Sequence, residues 1–294
     1  MLSTLVNWPQ TLLQNKWIRA SLTVLTSASV ALYSYFRHVE PNQLVIERVE
    51  IPVPDLPPEM SGFTIAQLSD IHYLPHTKMP LVKRAIAKTN ALNPDLIVLT
   101  GDFISKKVDP LFELVEALAE LKAPHGVLAI LGNHDTSLWK PHVREIMRYA
   151  FAHHSIPLLV NQHVTLSNGL VIAGLDEIHH GRPNLKRTLE GVPEDAPVVV
   201  LMHQPDVADF VARNPQAILQ LSGHTHGGQM RIPGIRPIYL PHFGQKYIQG
   251  LHRIDNLWLY VNRGIGLSRM GPLRINCPPE ITLLTLKATS RNKS

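Results

Sequence analysis

Between residues 63 and 152, three short apolar runs alternate with stretches of helical spacing, and this rhythm limits the fold more than any other feature of the chain. Residues 63–68, 95–100 and 126–131 are too short for helices and too continuously apolar for half-exposed strands, so they are expected as buried strands. Residues 81–92, 110–121 and 142–152 follow them in turn with the spacing of amphipathic helices. Strands separated by helices pair in parallel, which predicts an α/β domain. Beyond residue 157 the apolar runs come closer together, at 164–166, 170–175, 198–202, 217–221, 257–261 and 281–286, with a helix near 206–212. This half is expected to form a second, mostly antiparallel sheet packed on the first. Residues 43–54 alternate as an edge strand would, with Pro52 and Pro54 ending its pairing and Pro57-Pro58 as a hinge beyond.

The first 38 residues differ from the rest. No charge occurs from Ala20 to Phe36, Lys16 and Arg19 precede this stretch, and Trp8, Trp17, Tyr33 and Tyr35 flank it as interfacial anchors would. The stretch is short for a span and rich in Ser and Thr. On a helix, Ile18, Leu22, Leu25, Leu32 and Phe36 share one face, which suits a helix lying in a membrane surface equally well. A cleaved signal peptide ending near Ser29-Val30-Ala31 and an ordinary packed helix complete the readings. The expected organisation is an apolar anchor or surface helix over 1–38, one catalytic domain over 39–288, and a flexible polar tail over 289–294, with fraying from Ala288 onward.

Composition removes several function classes. Hydrophobic residues make up 45% of the chain and charged residues 17%, so wholesale disorder is not expected. A formal charge of +5 suits an anionic substrate or membrane surface, but no dense Lys/Arg run marks a nucleic-acid arm. The single cysteine, Cys277, excludes an internal disulfide and a thiolate-rich metal site. Histidine is overrepresented, with sixteen copies.

Five segments carry metal-competent side chains, and each follows an apolar run: Asp70-Ile71-His72, Gly101-Asp102, Gly132-Asn133-His134-Asp135, His203, and His224-Thr225-His226. Each alone has an ordinary explanation. Asp70 suits a helix cap, Gly101-Asp102 and Asn133 suit turns, His203 suits a satisfied core histidine, and a His-x-His pair suits a solvated loop. Together, in order and always at a strand exit, they point to one site, because ligands collect outside the carboxyl ends of strands in α/β sheets.

This set of motifs resembles the signature of the calcineurin-like metallophosphoesterases, over about residues 62–286. The resemblance implies two packed mixed sheets flanked by helices, a four-layer α/β/β/α arrangement. It also implies a pair of divalent ions, the first held by Asp70, His72, Asp102 and His226, the second by Asp102, Asn133, His203 and His224. Asp102 would bridge, since ions about 3.5–4 Å apart need a shared ligand. A hydroxide between them would attack phosphorus, and two carboxylates and one hydroxide leave the pair a net positive charge that favours phosphate. Oxygen and imidazole donors without sulfur admit Fe, Zn, Co or Ni, with Mn the leading candidate. His134 would meet the substrate phosphate or the leaving oxygen as a general acid or cationic clamp. Many relatives orient this histidine with an aspartate; here Ser105 occupies that place, and Asp176 is a candidate substitute.

The last third holds Arg231, Arg236, Arg263, Arg269 and Arg274, any of which can be plain solvated surface. Arg263, between Asn262 and Gly264, is the candidate substrate-binding residue. Leu267, Met270 and Leu273 among them form either an apolar lip or ordinary loop packing. Together with the apolar N-terminus, residues 263–281 look like a branch of membrane-associated bacterial phosphodiesterases that includes an alternative UDP-2,3-diacylglucosamine hydrolase of lipid A synthesis. The expected protein is therefore a membrane-associated phosphodiesterase of the bacterial inner membrane acting on a phosphodiester or pyrophosphate, with lipid-linked compounds among the candidate substrates. No nucleic-acid or protein partner is expected. A nuclease or phosphoprotein phosphatase is the rival within this chemistry, and a metal-free interaction scaffold is the rival outside it; bound metal and chelator-sensitive turnover separate the last from the others.

Overall fold

Consecutive apolar residues put side chains on both faces of a strand, so such runs are stable only between two covering layers. A computed structural model of the chain describes residues 15–74, 76–105, 107–136, 142–268 and 271–290 and places them in that way. The first sheet runs in the order β1 (Val45–Pro54), β12 (Glu280–Thr289), β2 (Thr64–Leu68), β3 (Leu96–Leu99), β4 (Val127–Ile130), β5 (Leu158–Leu159). β2 to β5 are parallel, and β12 enters antiparallel to β2. The second sheet runs β10 (Gly250–Ile254), β11 (Leu257–Val261), β9 (Ala217–Ser222), β8 (Val198–Leu201), β7 (Val171–Gly174), β6 (Gln162–Thr165).

Successive residues of each strand serve different layers. Ile65, Val98, Ile130, Val199, Leu219 and Leu221 fill the space between the sheets. Ala66, Leu68, Ile97, Leu99 and Ala129 face the helices α2 (Met79–Ala91), α3 (Leu111–Leu118) and α4 (His142–His153) on the outside of the first sheet. Val171, Val198, Val200 and Leu259 pack outward against the short helices α5 (Leu185–Thr188) and α6 (Ala208–Val211). The result is two mixed sheets flanked by helices.

Four expectations need correction. The second sheet is not mostly antiparallel: β7, β8, β9 and β11 form a parallel centre, and only β6 and β10 at its edges run antiparallel. Residues 175–197 and 202–216 are long enough to carry the chain back across the sheet, which permits parallel pairing despite close spacing. The run at 281–286 belongs to the first sheet, not the second. Fraying does not begin at Ala288, because Ala288 and Thr289 pair with Val53 and Pro54; the pairing of β1 likewise continues through both prolines on the sheet edge. Residues 291–294 of the tail lie outside the described residues.

The N-terminal segment forms a helix, α1 (Lys16–Ser34), capped by the Asn15 side chain, which accepts from the Trp17 amide at 2.9 Å. None of its residues is buried, so it is not an ordinary packed helix. Among the described residues no helix is long and apolar enough to cross a membrane. The serines and threonines interleaved with its apolar residues account for this. Trp8, the expected outer anchor, lies outside the described residues. The foot of α1 is fastened to the body: the Arg274 amide donates to the Phe36 carbonyl at 3.1 Å, and the Cys277 amide to the Glu40 carboxylate at 2.6 Å.

Candidate functional site

All five motif segments leave the carboxyl ends of parallel strands. Asp70 and His72 follow β2, Asp102 follows β3, Asn133 and His134 follow β4, His203 follows β8, and His224 and His226 follow β9. Because the sheets are stacked with these ends on one side, the loops meet over the edge of the sandwich. The turns are tight. Asp70, His72, Asp102, His224 and His226 all have φ between 45° and 74°, a region that non-glycine residues occupy at a cost of about 1–2 kcal/mol each. Gly132 lies so close to Asp102 that a Cβ there would overlap its carboxylate.

Within the cleft, His72 Nε2 lies 3.4 Å from Asp102 Oδ2 and 3.0 Å from His226 Nε2, which in turn lies 3.3 Å from Asp70 Oδ1. His203 Nε2 is 3.2 Å from Asp102 Oδ2, without hydrogen-bond geometry. Asp70, His72 and His226 thus offer one set of converging donor atoms, Asp102, His203 and His224 a second, and His72, Asp102 and His134 a third. Asn133 lines the same cleft, and its Oδ1 is buried with no partner among the described residues.

The surrounding hydrogen bonds aim these atoms. A backbone carbonyl can only accept, so His203 must donate from Nδ1 to Thr100 O (2.6 Å) and His224 from Nε2 to the His242 carbonyl (2.8 Å). That leaves His203 Nε2 and His224 Nδ1 for the cleft. Asp70 Oδ2 accepts from Ser69 Oγ at 2.6 Å, and the His224 amide is shared between Oδ2 at 3.0 Å and Oδ1 at 3.1 Å, with Oδ1 the oxygen that faces His226. Asp102 Oδ1 accepts from the His134 amide at 2.8 Å, which frees Oδ2.

Burial governs the charges. It raises the Asp70 carboxyl to about 6 and drops His72 and His224 to about 3, with His226 also held well below its usual value. For Asp102 burial pushes upward, but His203, His134 and His72 outweigh it and hold the carboxylate far below the usual range. His203 is the reverse: burial pushes it down, and Asp102 and Asp70 pull it up to about 10. Two carboxylates, the four imidazoles of His72, His203, His224 and His226, and one orphaned amide oxygen in a buried cluster make a donor set for divalent cations, with nothing soft in it.

His134 borders the cleft with its ring edge-on to His72, centroids 4.7 Å apart. Its Nδ1 donates to the Ser105 backbone carbonyl at 3.0 Å, so Nε2 is the atom available for proton exchange. Ser105, where the resemblance led to the expectation of an orienting aspartate, thus orients the ring through its main chain. Asp176 does not: it pairs with Arg144 at 2.9 Å and accepts the Arg182 amide. Arg263 is not brought to the cleft either. Its guanidinium is taken by Glu280 and Glu47, beside a separate depression lined by Val49 and Tyr260. Arg274, also read as a surface candidate, is fully buried and donates to the backbone carbonyls of Arg263, Gly264 and Cys277, holding the loop behind Asp70. Arg269 and Met270 lie outside the described residues.

The cleft, about 450 Å³, has a far wall that sequence motifs did not mark: His179, Tyr239, Pro241, His242 and Ser268. Only the histidine excess hinted at His179 and His242. His179 is set by the buried Glu177, which accepts its amide at 2.8 Å, the His180 amide at 2.7 Å and the Thr136 hydroxyl at 2.8 Å. Burial would raise the Glu177 carboxyl, but the hydrogen bonds from His179 and Thr136 bring it down from 4.5 to about 2. A folded-state pKa below the unfolded one gives stability that is present above pH ~4.5 and lost as pH falls toward about 2, here about 3 kcal/mol. Glu177→Gln should therefore lower stability at neutral pH, with the gap to wild type closing below pH ~4.5. Urea unfolding at a series of pH values measures this, and a gap independent of pH contradicts it.

Comparison with known proteins agrees with this geometry. Residues 63–228 match the family described as calcineurin-like phosphoesterase. The metallophosphoesterase YkuE of Bacillus subtilis is 35% identical over 264 residues, covering 88% of this chain and 91% of that protein. Phosphodiesterase YaeI of Escherichia coli is 31% identical over 276 residues, 90% of this chain and 96% of its own length. UDP-2,3-diacylglucosamine pyrophosphatase LpxG of Chlamydia muridarum is 28% identical over 329 residues, 90% of this chain and 95% of its own.

Proposed function

This chain belongs to the calcineurin-like phosphoesterase family and is a metal-dependent phosphoester hydrolase, and from that premise we propose that it cleaves phosphodiester or pyrophosphate bonds with a pair of divalent ions. One observation carries the reading: two Asp/His donor sets share a single cleft, with the Asp102 Oδ2 oxygen common to His72 and His203. Asp70, His72, His226 and Asp102 would hold one ion, and Asp102, Asn133, His203 and His224 the other. The unpartnered His203 Nε2 and Asn133 Oδ1 support this fit. Bound ions of this kind lower the pKa of water and neutralise charge on a phosphoryl group. Manganese is the ion proposed first, with iron, zinc, cobalt and nickel also suited to the donors.

The protein's own part is orientation and proton transfer. Asp102 is presented by the His134 amide, so the residue that carries the acid also positions the shared carboxylate. The His134 Nδ1–H bond to Ser105 keeps Nε2 toward the substrate, where it would protonate the departing oxygen. Rate and proton supply would then both depend on the segment 132–135.

For the substrate we propose a lipid-linked phosphoester such as UDP-2,3-diacylglucosamine, the compound after which the LpxG relative is named. Ile232, Ile235 and Ile238, the last 85% exposed, lie on the segment leading to the cleft residue Tyr239, and a loop of this kind would contact acyl chains. Helix α1, with Trp17, Leu22 and Leu25 exposed, would lie on the membrane surface rather than cross it. The test is metal analysis together with hydrolysis of a nitrophenyl phosphodiester with and without chelator. Two ions per chain and loss of turnover on chelation are expected; chelator-resistant turnover refutes the proposal. Assay of a lipid-linked UDP-sugar against simple diesters then tests the substrate, and equal rates on all would remove the lipid-linked assignment.

A further inference from the structure

At the foot of helix α1 lies a second pocket of about 360 Å³, separate from the cleft and more basic than it. Arg37, His38, His76 and Lys78 line it, together with Thr77 and the apolar residues Leu81, Ile265 and Leu267. No carboxylate among the described residues lines it; the nearby Glu40 is buried and holds the Cys277 amide. Arg37, His76 and Lys78 pair with no carboxylate among the described residues.

Two further features make this more than a patch of charge. Helix α2 begins here, with Lys78 at its cap and Pro80 in the first turn; it has no side-chain cap and no acidic residue in that turn. Pro80 has no amide proton and the Leu81 amide donates to the Lys78 carbonyl at 3.0 Å, so this end acts on the pocket through the partial positive charge of the helix dipole. Thr77 is only 2% exposed, and its Oγ1 has no hydrogen-bond partner among the described residues. It packs against Gly266, between the wall residues Ile265 and Leu267. A buried hydroxyl left unsatisfied costs about 1–3 kcal/mol, a cost that an incoming acceptor removes.

We infer that this pocket is a binding site for a tetrahedral phosphate anion, distinct from the hydrolytic centre. Its oxygens take the Thr77 hydroxyl, and Arg37, Lys78 and the positive end of the α2 dipole balance its charge. The site stands independently of the assignment of metal ligands, and its position gives it a use. Leu267 faces this pocket and the next residue, Ser268, faces the cleft, so the two sites are neighbours across a single strand of chain. The pocket also adjoins the exposed helix α1. A phosphomonoester lipid headgroup would enter here while the cleft stays open to substrate; a soluble phosphate compound could supply the same chemistry.

The experiment uses the metal-loaded full chain and three variants: Thr77→Val, Lys78→Ala and Arg37→Ala. Inorganic phosphate is titrated calorimetrically, and binding is measured to vesicles of phosphatidylcholine with and without phosphatidic acid. Wild type should show a second class of phosphate site and a preference for phosphatidic acid. Thr77→Val removes no charge, yet should weaken the second class about tenfold, as expected for a lost hydrogen bond to a charged group. Diffuse attraction of a basic surface to anionic lipid would not register that change. Loss of the phosphatidic acid preference in parallel identifies the headgroup as the source. Loss of phosphate binding with no vesicle preference at any stage supports the anion site with a soluble ligand. Thr77→Val and Lys78→Ala binding phosphate and vesicles as wild type overturns the site. Hydrolysis of a soluble nitrophenyl diester should be unchanged in all three, which keeps this result apart from that on the hydrolytic centre.

Discussion

Asp102→Ala should lose both metal ions together and lower phosphodiester hydrolysis by about 10⁴-fold or more, since several kcal/mol of charge stabilisation disappear at once. Three contacts converge on this carboxylate. Oδ2 lies 3.4 Å from His72 Nε2 and 3.2 Å from His203 Nε2, and Oδ1 receives the His134 amide at 2.8 Å. His203 also loses the partner that raises its pKa to about 10, so the cluster retains only Asp70 as an anion among four imidazoles. Asp102→Asn keeps an oxygen for the His134 amide but removes the charge, and should fall between wild type and the alanine variant in metal content. Elemental analysis of purified protein is the deciding measurement. A variant that still carries two ions per chain would remove Asp102 from its bridging place.

His134→Ala should retain both ions and slow turnover by about 10²- to 10⁴-fold, the usual worth of a general acid. The dependence on leaving group separates this role from a merely structural one. A nitrophenolate departs without a proton, whereas an alkoxide needs one, so an alkyl phosphodiester should suffer much the larger loss. Equal losses on the two substrates would instead favour electrostatic clamping of the phosphoryl oxygens. No loss on either would remove His134 from the reaction. Because the His134 amide also holds Asp102, metal content must be measured beside the rates; the backbone contact survives in the alanine variant, so it should not change.

The two predictions concern residues that motif reading found, and the reason is physical. A metal-binding loop at a strand exit has to present particular donor types within a few residues of a buried apolar run, and both parts of that pattern are local. The strands at 63–68, 95–100 and 126–131 and the helices after them were legible for the same reason: burial on both faces and helical periodicity are written in consecutive residues. Arg263 shows where this stops. Nothing near it in the chain announces Glu47, more than two hundred residues away, or Glu280 across the loop, yet these take up its charge.

By itself the sequence determined the donor chemistry, the five strand exits and the two-sheet architecture, because each depends on residue type and short-range spacing. Tertiary structure alone decided which oxygen of Asp102 is free, which nitrogen of each histidine faces the cleft, and that a main-chain carbonyl at Ser105 orients His134. It also turned the second sheet parallel at its centre, sent the last strand into the first sheet, and brought His179 and His242 to the cleft wall. These are settled by contacts between residues distant in the chain. Such contacts form only when the strands have stacked, and no local pattern encodes them.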